Sequence, residues 1–474
     1  MIIASRNHPN LRETWTFIAG IVKLSLVLSM LEPVLAGKTI NYTMFEILPG
    51  IAFAFKVDAA GMLFALVSSV LWIFTSAYSI GYMRGLNEHG QTRYFAFFAV
   101  ALSATLGVAF AANLFTMYLF YEMLSLATYP LVTHHQDAEA KSSGRRYLTY
   151  ILGTSIGFAL PAMLISYNLA GTLDFAAQGI LATTNISSGL LTLLLLFFVF
   201  GFAKAGIMPI HGWLPAAMVA PTPVSALLHA VAVVKVGVFS IFRVVTGILG
   251  TQLLATHQLG YLLSILAAIT IITASLIALS QDGLKRRLAF STIGQLSYIV
   301  LGVALLSPQG LLGGLLHIAM HAFGKITLFF CAGAIFVATG RKNISEMVGI
   351  GRRMPITMIA FLFGAISVIG LPPGGGFISK WHLIIGTLEA DQIVMLVVLL
   401  SSSILNAAYF FPIFYKAFFY APGEGQFEED GIKEAPLWSL VPLVLTGIIS
   451  LVLFFYPQPF FRLAQLAVQT IMGS

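Results

Sequence analysis

Charge is what this 474-residue chain has least of: Asp, Glu, Lys and Arg make up 9% of it, against about 25% in soluble globular domains. With 58% hydrophobic residues and a mean hydropathy of +0.92, that scarcity excludes an ordinary soluble domain. Cysteine is nearly absent. The one thiol, Cys331, sits in an apolar run, which excludes an intrachain disulfide, a CxxC pair and any cluster held by several thiolates. Acids are scarcer than bases, 18 against 25, for a net charge of +7. The bases are scattered between apolar runs, so they do not point to nucleic acid. There is no P-loop, GxGxxG, nucleophile elbow or metal-ligand cluster. No covalent catalysis by this chain, no cofactor and no bound metal are therefore expected. The N-terminal "MIIASRNHPNLRETW" lacks the apolar core and cleavage site of a signal peptide.

What the chain does have is long apolar runs. Stretches of about 20 residues give thirteen spans, near 15–36, 59–82, 93–112, 114–132, 146–169, 189–208, 222–249, 258–280, 284–306, 309–338, 355–387, 392–420 and 437–457. A closed barrel would show alternation instead. The fold class is an all-α polytopic membrane protein. Two spans are interrupted: the sixth runs into "MPIHGWLPAAMVAPTP" and the eleventh contains "GLPPGGGF" (370–377). Proline removes a helical hydrogen bond and glycine permits irregular backbone. Within a bilayer such breaks survive only against protein or a hydrated cavity. "KTINYTMFEILPGIAFAFKVD" (38–58) reads as a short hairpin outside the membrane.

The basic residues set the orientation. With the N-terminus inside, alternate loops collect Arg6, Arg12, Arg84, Arg93, Lys141, Arg145, Arg146, the run Lys285 to Arg287, Arg341, Lys342, Arg352, Arg353, Lys416 and Lys433. The other side has Lys38, Lys56 and Arg462. This bias puts the C-terminus outside after thirteen crossings. The acidic "EGQFEEDG" (424–431) falls inside. His134, His135 and Asp137, in an inside loop, read as solvated residues; His134 and His211 are also candidates for taking up protons.

Lys23, Lys204, Lys235, Arg243, Lys325 and Lys380 remain within spans. Lys23 and Arg243 can snorkel or pair locally. Glu122, in "LFYEMLSLATYP", is the acid deep in a span. One carboxylate cannot neutralise four buried lysines, so not all of them can be charged at once. Lys204 is either a fixed counter-ion of Glu122 or a proton carrier switched by it. An ion pair at 4 Å and an effective dielectric near 20 is worth about 4 kcal/mol, enough to decide whether Lys204 keeps its proton. Lys235 lies six residues beyond His229, offset from it around a regular helix. His317, His321 and Lys325 follow i, i+4, i+8 spacing and share one face over about 12 Å. Imidazoles in line with lysines suit proton relay. Zinc is the rival for the two histidines, but a third ligand and an HExxH motif are lacking. Lys380, in "GGGFISKW", is an exit site or a snorkelling lysine. "LLHAVAVVK" (227–235) also echoes "LLHIAMHAFGK" (315–325).

Six stretches occur in order: "LFYEMLSLATYP", "FAKAGIMPIHGWLP", "APTPVSALLHAVAVVKVGVFSIFR", "DGLKRRLAFSTIGQLSYI", "LLHIAMHAFGKITLFF" and "GLPPGGGFISKW". Together they resemble the antiporter-like subunits of respiratory complex I, multisubunit monovalent cation/proton antiporters and membrane-bound hydrogenases, the D-type subunits of the antiporters above all. The resemblance implies two inverted five-helix repeats, each with a broken helix, at 93–250 and 258–420. They would be flanked by 1–92 (two helices and the hairpin) and 421–474 (a loop and the last helix). It also implies a modulating pair Glu122–Lys204, a connecting Lys235 and a terminal Lys380. His229, His317, His321 and Lys325 would fill the hydrated axis between them. The family pattern has fourteen crossings and an acid after "HGWLP"; here a first helix does not precede "SRNHPNLRETW", and Ala216 stands in the acid's place.

The expected function is proton translocation, with or without exchange for Na+ or K+, by one membrane subunit of a larger complex in the cell (inner) membrane. Any redox chemistry, as in an NADH dehydrogenase or hydrogenase, would belong to other subunits. Two rivals stay open: a membrane partner of a soluble zinc protein that couples proton flow to inorganic carbon uptake, and a non-conducting structural subunit.

Overall fold

The computed structural model describes residues 1–421 and 431–473. All of "EGQFEEDG" but its last residue lies outside the described residues. A first helix, α1 (Pro9–Leu35), precedes an antiparallel hairpin of β1 (Ile40–Leu48) and β2 (Ile51–Val57). Then come α2 (Ala59–Gly85), α3 (Gln91–Ala109), α4 (Leu114–Val132) and α5 (Ala138–Ala170). Next are α6 (Ser188–Gly201), α7 (Thr222–Leu249), α8 (Leu259–Ser280), α9 (Leu284–Ala304) and α10 (Pro308–Thr339). The chain ends with α11 (Pro355–Ile369), α12 (Gly376–Glu389), α13 (Ile393–Phe419), α14 (Leu437–Phe455) and α15 (Gln458–Met472).

Ten helices among the described residues are long and apolar enough to cross a membrane. The other three of the thirteen expected spans differ for local reasons. The helix α4 has the length, 19 residues, but carries Glu122 and several hydroxyls. The sixth and eleventh spans are cut short by their breaks, leaving α6 with 14 residues and α11 with 15. Both breaks sit where the sequence placed them. After Gly201 the chain makes a single 3-10 turn at Ala203–Ala205 and reverses at Gly206, φ +70°. After Ile369 it turns at Gly370, φ +84°. Helix α1 begins earlier than expected, so Arg12 is helical and buried and donates to Gln91 Oε1 at 2.8 Å.

The hairpin forms as expected, with Ile40 opposite Val57 and Leu48 opposite Ile51. Asn113 is one of the residues that anchor it. It caps α4 by accepting from Thr116 N, while its amide donates to the Ala52 carbonyl at 2.7 Å. Helix α15 was not foreseen. Its alternating polar residues keep it below the hydropathy of a span, yet Phe460 and Phe461 pack against Phe323 and His382.

Helix α7 is buried along its whole length, and α9 and α10 over most of theirs. Small residues allow the close crossings, as in membrane helix packing generally. A Cβ on Gly333 of α10 would lie 2.2 Å from the Tyr78 hydroxyl of α2. Tyr78 uses that approach to donate to the Phe330 carbonyl at 2.8 Å and to stack on its ring at 4.0 Å. The polar residues of α7, α9 and α10 are thereby held at the centre of the molecule, away from lipid.

Candidate functional site

The centre holds a line of polar groups, hydrogen-bonded at Lys235–His321 and around His317 but with a gap between the two imidazoles. Lys235 Nζ on α7 lies 2.6 Å from His321 Nδ1 on α10. The His321 ring is 5.7 Å from that of His317, one turn earlier on the same helix. His317 Nδ1 is 2.8 Å from Ser379 Oγ and its Nε2 is 3.1 Å from Gln295 Oε1. Ser379 adjoins Lys380, whose ammonium donates to the Ile369 carbonyl at 2.8 Å and to Ser403 Oγ at 3.2 Å. Tyr298 closes the line, its ring 5.5 Å from His317 and 4.7 Å from the Lys380 ammonium. Lys235, His317 and His321 are at most 1% exposed and Lys380 is 5% exposed. Four sequence-selected residues are thus brought together, along with neutral partners that were not selected.

Local backbone explains the reach across helices. Between His229 and Lys235 the helix is not regular: residues 227–231 form a wide π turn and Ala232 leaves helical geometry at φ −121°, ψ −76°. That corrects the regular-helix offset expected from six-residue spacing. The expected common stripe of His317, His321 and Lys325 also divides. His321 turns to Lys235, His317 to Gln295 and Ser379, while Lys325 donates to Ser291 Oγ at 2.7 Å. Ser291 in turn accepts from the Tyr409 hydroxyl at 2.8 Å, and Tyr409 also bonds Asn406. Lys325 therefore starts a side branch. His229 stands outside this line: neither ring nitrogen has a partner, and its ring packs 4.9 Å from Phe329. For zinc at His317 and His321, the geometry offers no shared point, because three of their four nitrogens are engaged.

Lys204 and Glu122 do not form a direct ion pair, so Lys204 is not held here as a fixed counter-ion of Glu122. The Lys204 ammonium donates to the Tyr121 carbonyl and to Ser125 Oγ, both on α4, and lies 3.2 Å from the Tyr121 ring centroid. Glu122 follows Tyr121 on α4, and both of its carboxylate oxygens are buried without a hydrogen-bond partner. Adjacent positions on a helix are about 100° apart, so a lysine seated over Tyr121 and Ser125 has Glu122 to one side of it, near but not in contact. Beside this seat, Gly237 lets α7 touch the break, a Cβ there falling 2.1 Å from Ala205 N.

Of the other basic residues, Arg243 pairs in bidentate fashion with Asp58 at 2.6 Å, and Lys23 lies 4.1 Å over the Trp72 ring. Burial alone would raise the Asp58 carboxyl, but Arg243 and the Gly61 amide hold it below its ordinary value. His211 is half-buried in the first break, 6.3 Å from Phe290. His134 is not the solvated loop residue expected. It is 0% exposed, and burial, then His89, His135 and Arg93, lower its imidazole to about 4.

The neutral members Ser379, Gln295, Tyr298, Ser291, Tyr121 and Ser125 were missed. Their signal was available on α9, where Ser291, Gln295 and Tyr298 fall at i, i+4 and i+7 of an apolar helix, one polar face.

Known proteins bear out the resemblance. Residues 111–406 match the family described as NADH:quinone oxidoreductase/Mrp antiporter, TM. NADH-quinone oxidoreductase subunit N of Desulforudis audaxviator is 36% identical over 386 residues, 78% of this chain and 75% of that protein. A Na(+)/H(+) antiporter subunit of Alkalihalophilus pseudofirmus is 30% identical over 443 residues, 86% of this chain; the chain spans about half, 53%, of that relative's length. Among solved structures, a chain of the Mrp complex from Dietzia sp. DQ12-45-1b superposes with a TM-score of 0.86 at 22% identity, covering 99% of this chain and 93% of that one. The chain is a multi-pass membrane protein and belongs to the NADH:quinone oxidoreductase/Mrp antiporter transmembrane family.

Proposed function

We propose that the chain carries protons as an antiporter-like membrane subunit of a larger complex, of the cation/proton antiporter or redox-driven respiratory type. The observation that supports this above the others is the buried line Lys235–His321–His317–Ser379–Lys380. Four intramembrane lysines kept charged and unpaired would cost on the order of 10 kcal/mol. Their partners are neutral hydroxyls, carbonyls and an imidazole, which serve either protonation state. A pure counter-ion would sit on a carboxylate instead.

Each link has a stated part. Lys204 takes a proton arriving at the first break, where His211 lies. Glu122, unpartnered beside it, stabilises the charged lysine when it swings inward and releases it when it withdraws; about 4 kcal/mol is available for that step. Lys235 passes the proton to His321, the two imidazoles exchange it, and Lys380 delivers it. His229 and the Lys325 branch would join through water. The two five-helix groups, 93–250 and 258–420, would be inverted repeats with one carrier at each break. The basic residues favour a cytoplasmic N-terminus and an outside C-terminus in the cell (inner) membrane. Other membrane subunits complete the complex. Sodium or potassium, if exchanged, and any redox step would be handled there.

A Lys235→Ala variant tests this reading in membrane vesicles containing the whole complex. The complex should assemble normally and proton-coupled transport should be lost. Normal transport would favour the structural-subunit reading. Mass spectrometry of chains co-purified in mild detergent separates the parent complexes: small hydrophobic antiporter subunits, iron–sulfur or flavin chains, or a soluble zinc protein.

A further inference from the structure

We propose that Glu88, His89 and His134, with His135 beside them, form a zinc-binding site that ties the α2–α3 turn to the loop after α4. Three imidazole nitrogens converge on one carboxylate oxygen: Glu88 Oε2 lies 3.8 Å from His89 Nδ1, 3.7 Å from His134 Nε2 and 3.7 Å from His135 Nδ1. The donor atoms of Glu88, His89 and His134 all lie within 4.8 Å of one another. Tetrahedral zinc, with bonds of about 2.0–2.1 Å, needs ligand–ligand edges of about 3.4 Å. The Glu88–His89 and Glu88–His134 edges need to close by a few tenths of an ångström, and no edge of the three by more than about 1.4 Å, for one ion to take all three donors.

A second observation is independent of that spacing. His134 is 0% exposed, and neither of its ring nitrogens has a hydrogen-bond partner. Buried polar groups are nearly always satisfied, so an orphaned imidazole beside a carboxylate and two further imidazoles points to a missing ligand. Its neutral form is the form a metal takes. Arg93 fixes the backbone by donating to the His134 carbonyl at 2.8 Å. His89 and His135 side chains remain 55% and 33% exposed, which leaves a route for the ion from solvent. A donor set of two imidazoles and a carboxylate suits zinc better than magnesium or calcium, which take oxygen ligands. The site clamps the end of α4, the helix that also carries Glu122 and the acceptors of Lys204.

The full-length chain, purified in detergent and stripped with a chelator, is titrated with zinc chloride in competition with a chromophoric zinc indicator. One equivalent should bind. His89→Gln and His134→Gln should each weaken binding by about 100-fold, and His257→Gln, a histidine outside the cluster, should leave it unchanged. His89 is exposed, so its variant decides the matter even where His134→Gln fails to elute as a monodisperse peak. Absence of a stoichiometric site overturns the proposal. So does equal zinc affinity in wild type and His89→Gln, which would mark an adventitious ion bound elsewhere.

Discussion

The two broken helices hold their lysines in opposite ways. At the first break Lys204 reaches away from its own helix and rests on α4, on the Tyr121 carbonyl and Ser125, with the unpartnered Glu122 next in sequence. At the second, Lys380 turns back on its own broken helix and takes the Ile369 carbonyl at the end of α11. Helix ends expose unsatisfied carbonyls and the negative pole of the helix dipole. Lys380 is therefore seated by a fixed partial charge, whereas Lys204 sits within range of a side chain that can move. On the proposed reading, the first break is the switched one and the second a constant receiver.

Arginine substitution breaks the comparison most sharply. Arg keeps charge and donors but cannot give up its proton in a protein. Lys204→Arg and Lys380→Arg should both preserve assembly and lower proton-coupled transport by at least about tenfold, some 1.4 kcal/mol in barrier. Vesicle transport assays beside native gels measure the two properties separately. Retained transport in either variant would show that its lysine acts only as a fixed charge.

The next effect should fall on one break alone. Glu122→Gln removes the movable charge while keeping size, and should slow transport by a few-fold to about tenfold. Combined with Lys380→Ala it should add nothing, because the terminal step is already lost. A Glu122→Gln complex with wild-type rate would leave the first break as static as the second.

Two glycines sharpen the contrast further. Both have positive φ, so alanine costs about 1–2 kcal/mol of backbone strain at either. At Gly206 a Cβ meets nothing closer than 3.7 Å; at Gly370 it falls 2.5 Å from Lys380 Cδ. Gly370→Ala should therefore displace the carrier and slow transport more than Gly206→Ala. Equal losses would mean that backbone strain alone accounts for both.

Charge was legible in the sequence because it is rare here. Ten long helices, the two breaks, the hairpin and the buried residues Lys204, Lys235, His317, His321, Lys325 and Lys380 could all be named from apolar runs and the ionisable residues inside them. What could not be read was pairing across helices. Lys235 meets His321, 86 positions away, because a π turn and the irregular Ala232 re-aim α7, and no residue pattern announces either. Neutral partners such as Ser379 and Ser125 are common in membrane helices and carry no signal singly. Glu122 and Lys204 looked like a contact from their chemistry, yet the lysine takes the neighbouring Tyr121 carbonyl and Ser125 instead. The amphipathic α15 was invisible to a search for apolar length, and the histidine cluster of the α2–α3 turn joins segments about 45 residues apart.

The smallest effect on transport should come from a pair that lies off the proton line. Asp58 and Arg243 join the start of α2 to the end of α7, and Asp58 also caps α2 by accepting from Gly61 N. Asp58→Asn keeps the cap but leaves a guanidinium that is 8% exposed without its counter-ion, a loss of about 1–3 kcal/mol. The sign of the pH dependence follows from the lowered carboxyl. Its contribution is complete above the ordinary carboxylate value, near 3.9, and is lost as pH falls through the depressed value in the folded protein. Thermal stability of the detergent-solubilised wild type should thus drop more steeply than that of Asp58→Asn on acidification below about pH 4, while transport at pH 7 stays near wild type in both. A large transport defect in Asp58→Asn would mean that the junction of α2 and α7 positions Lys235, and that the outer ends of the two helices belong to the switch.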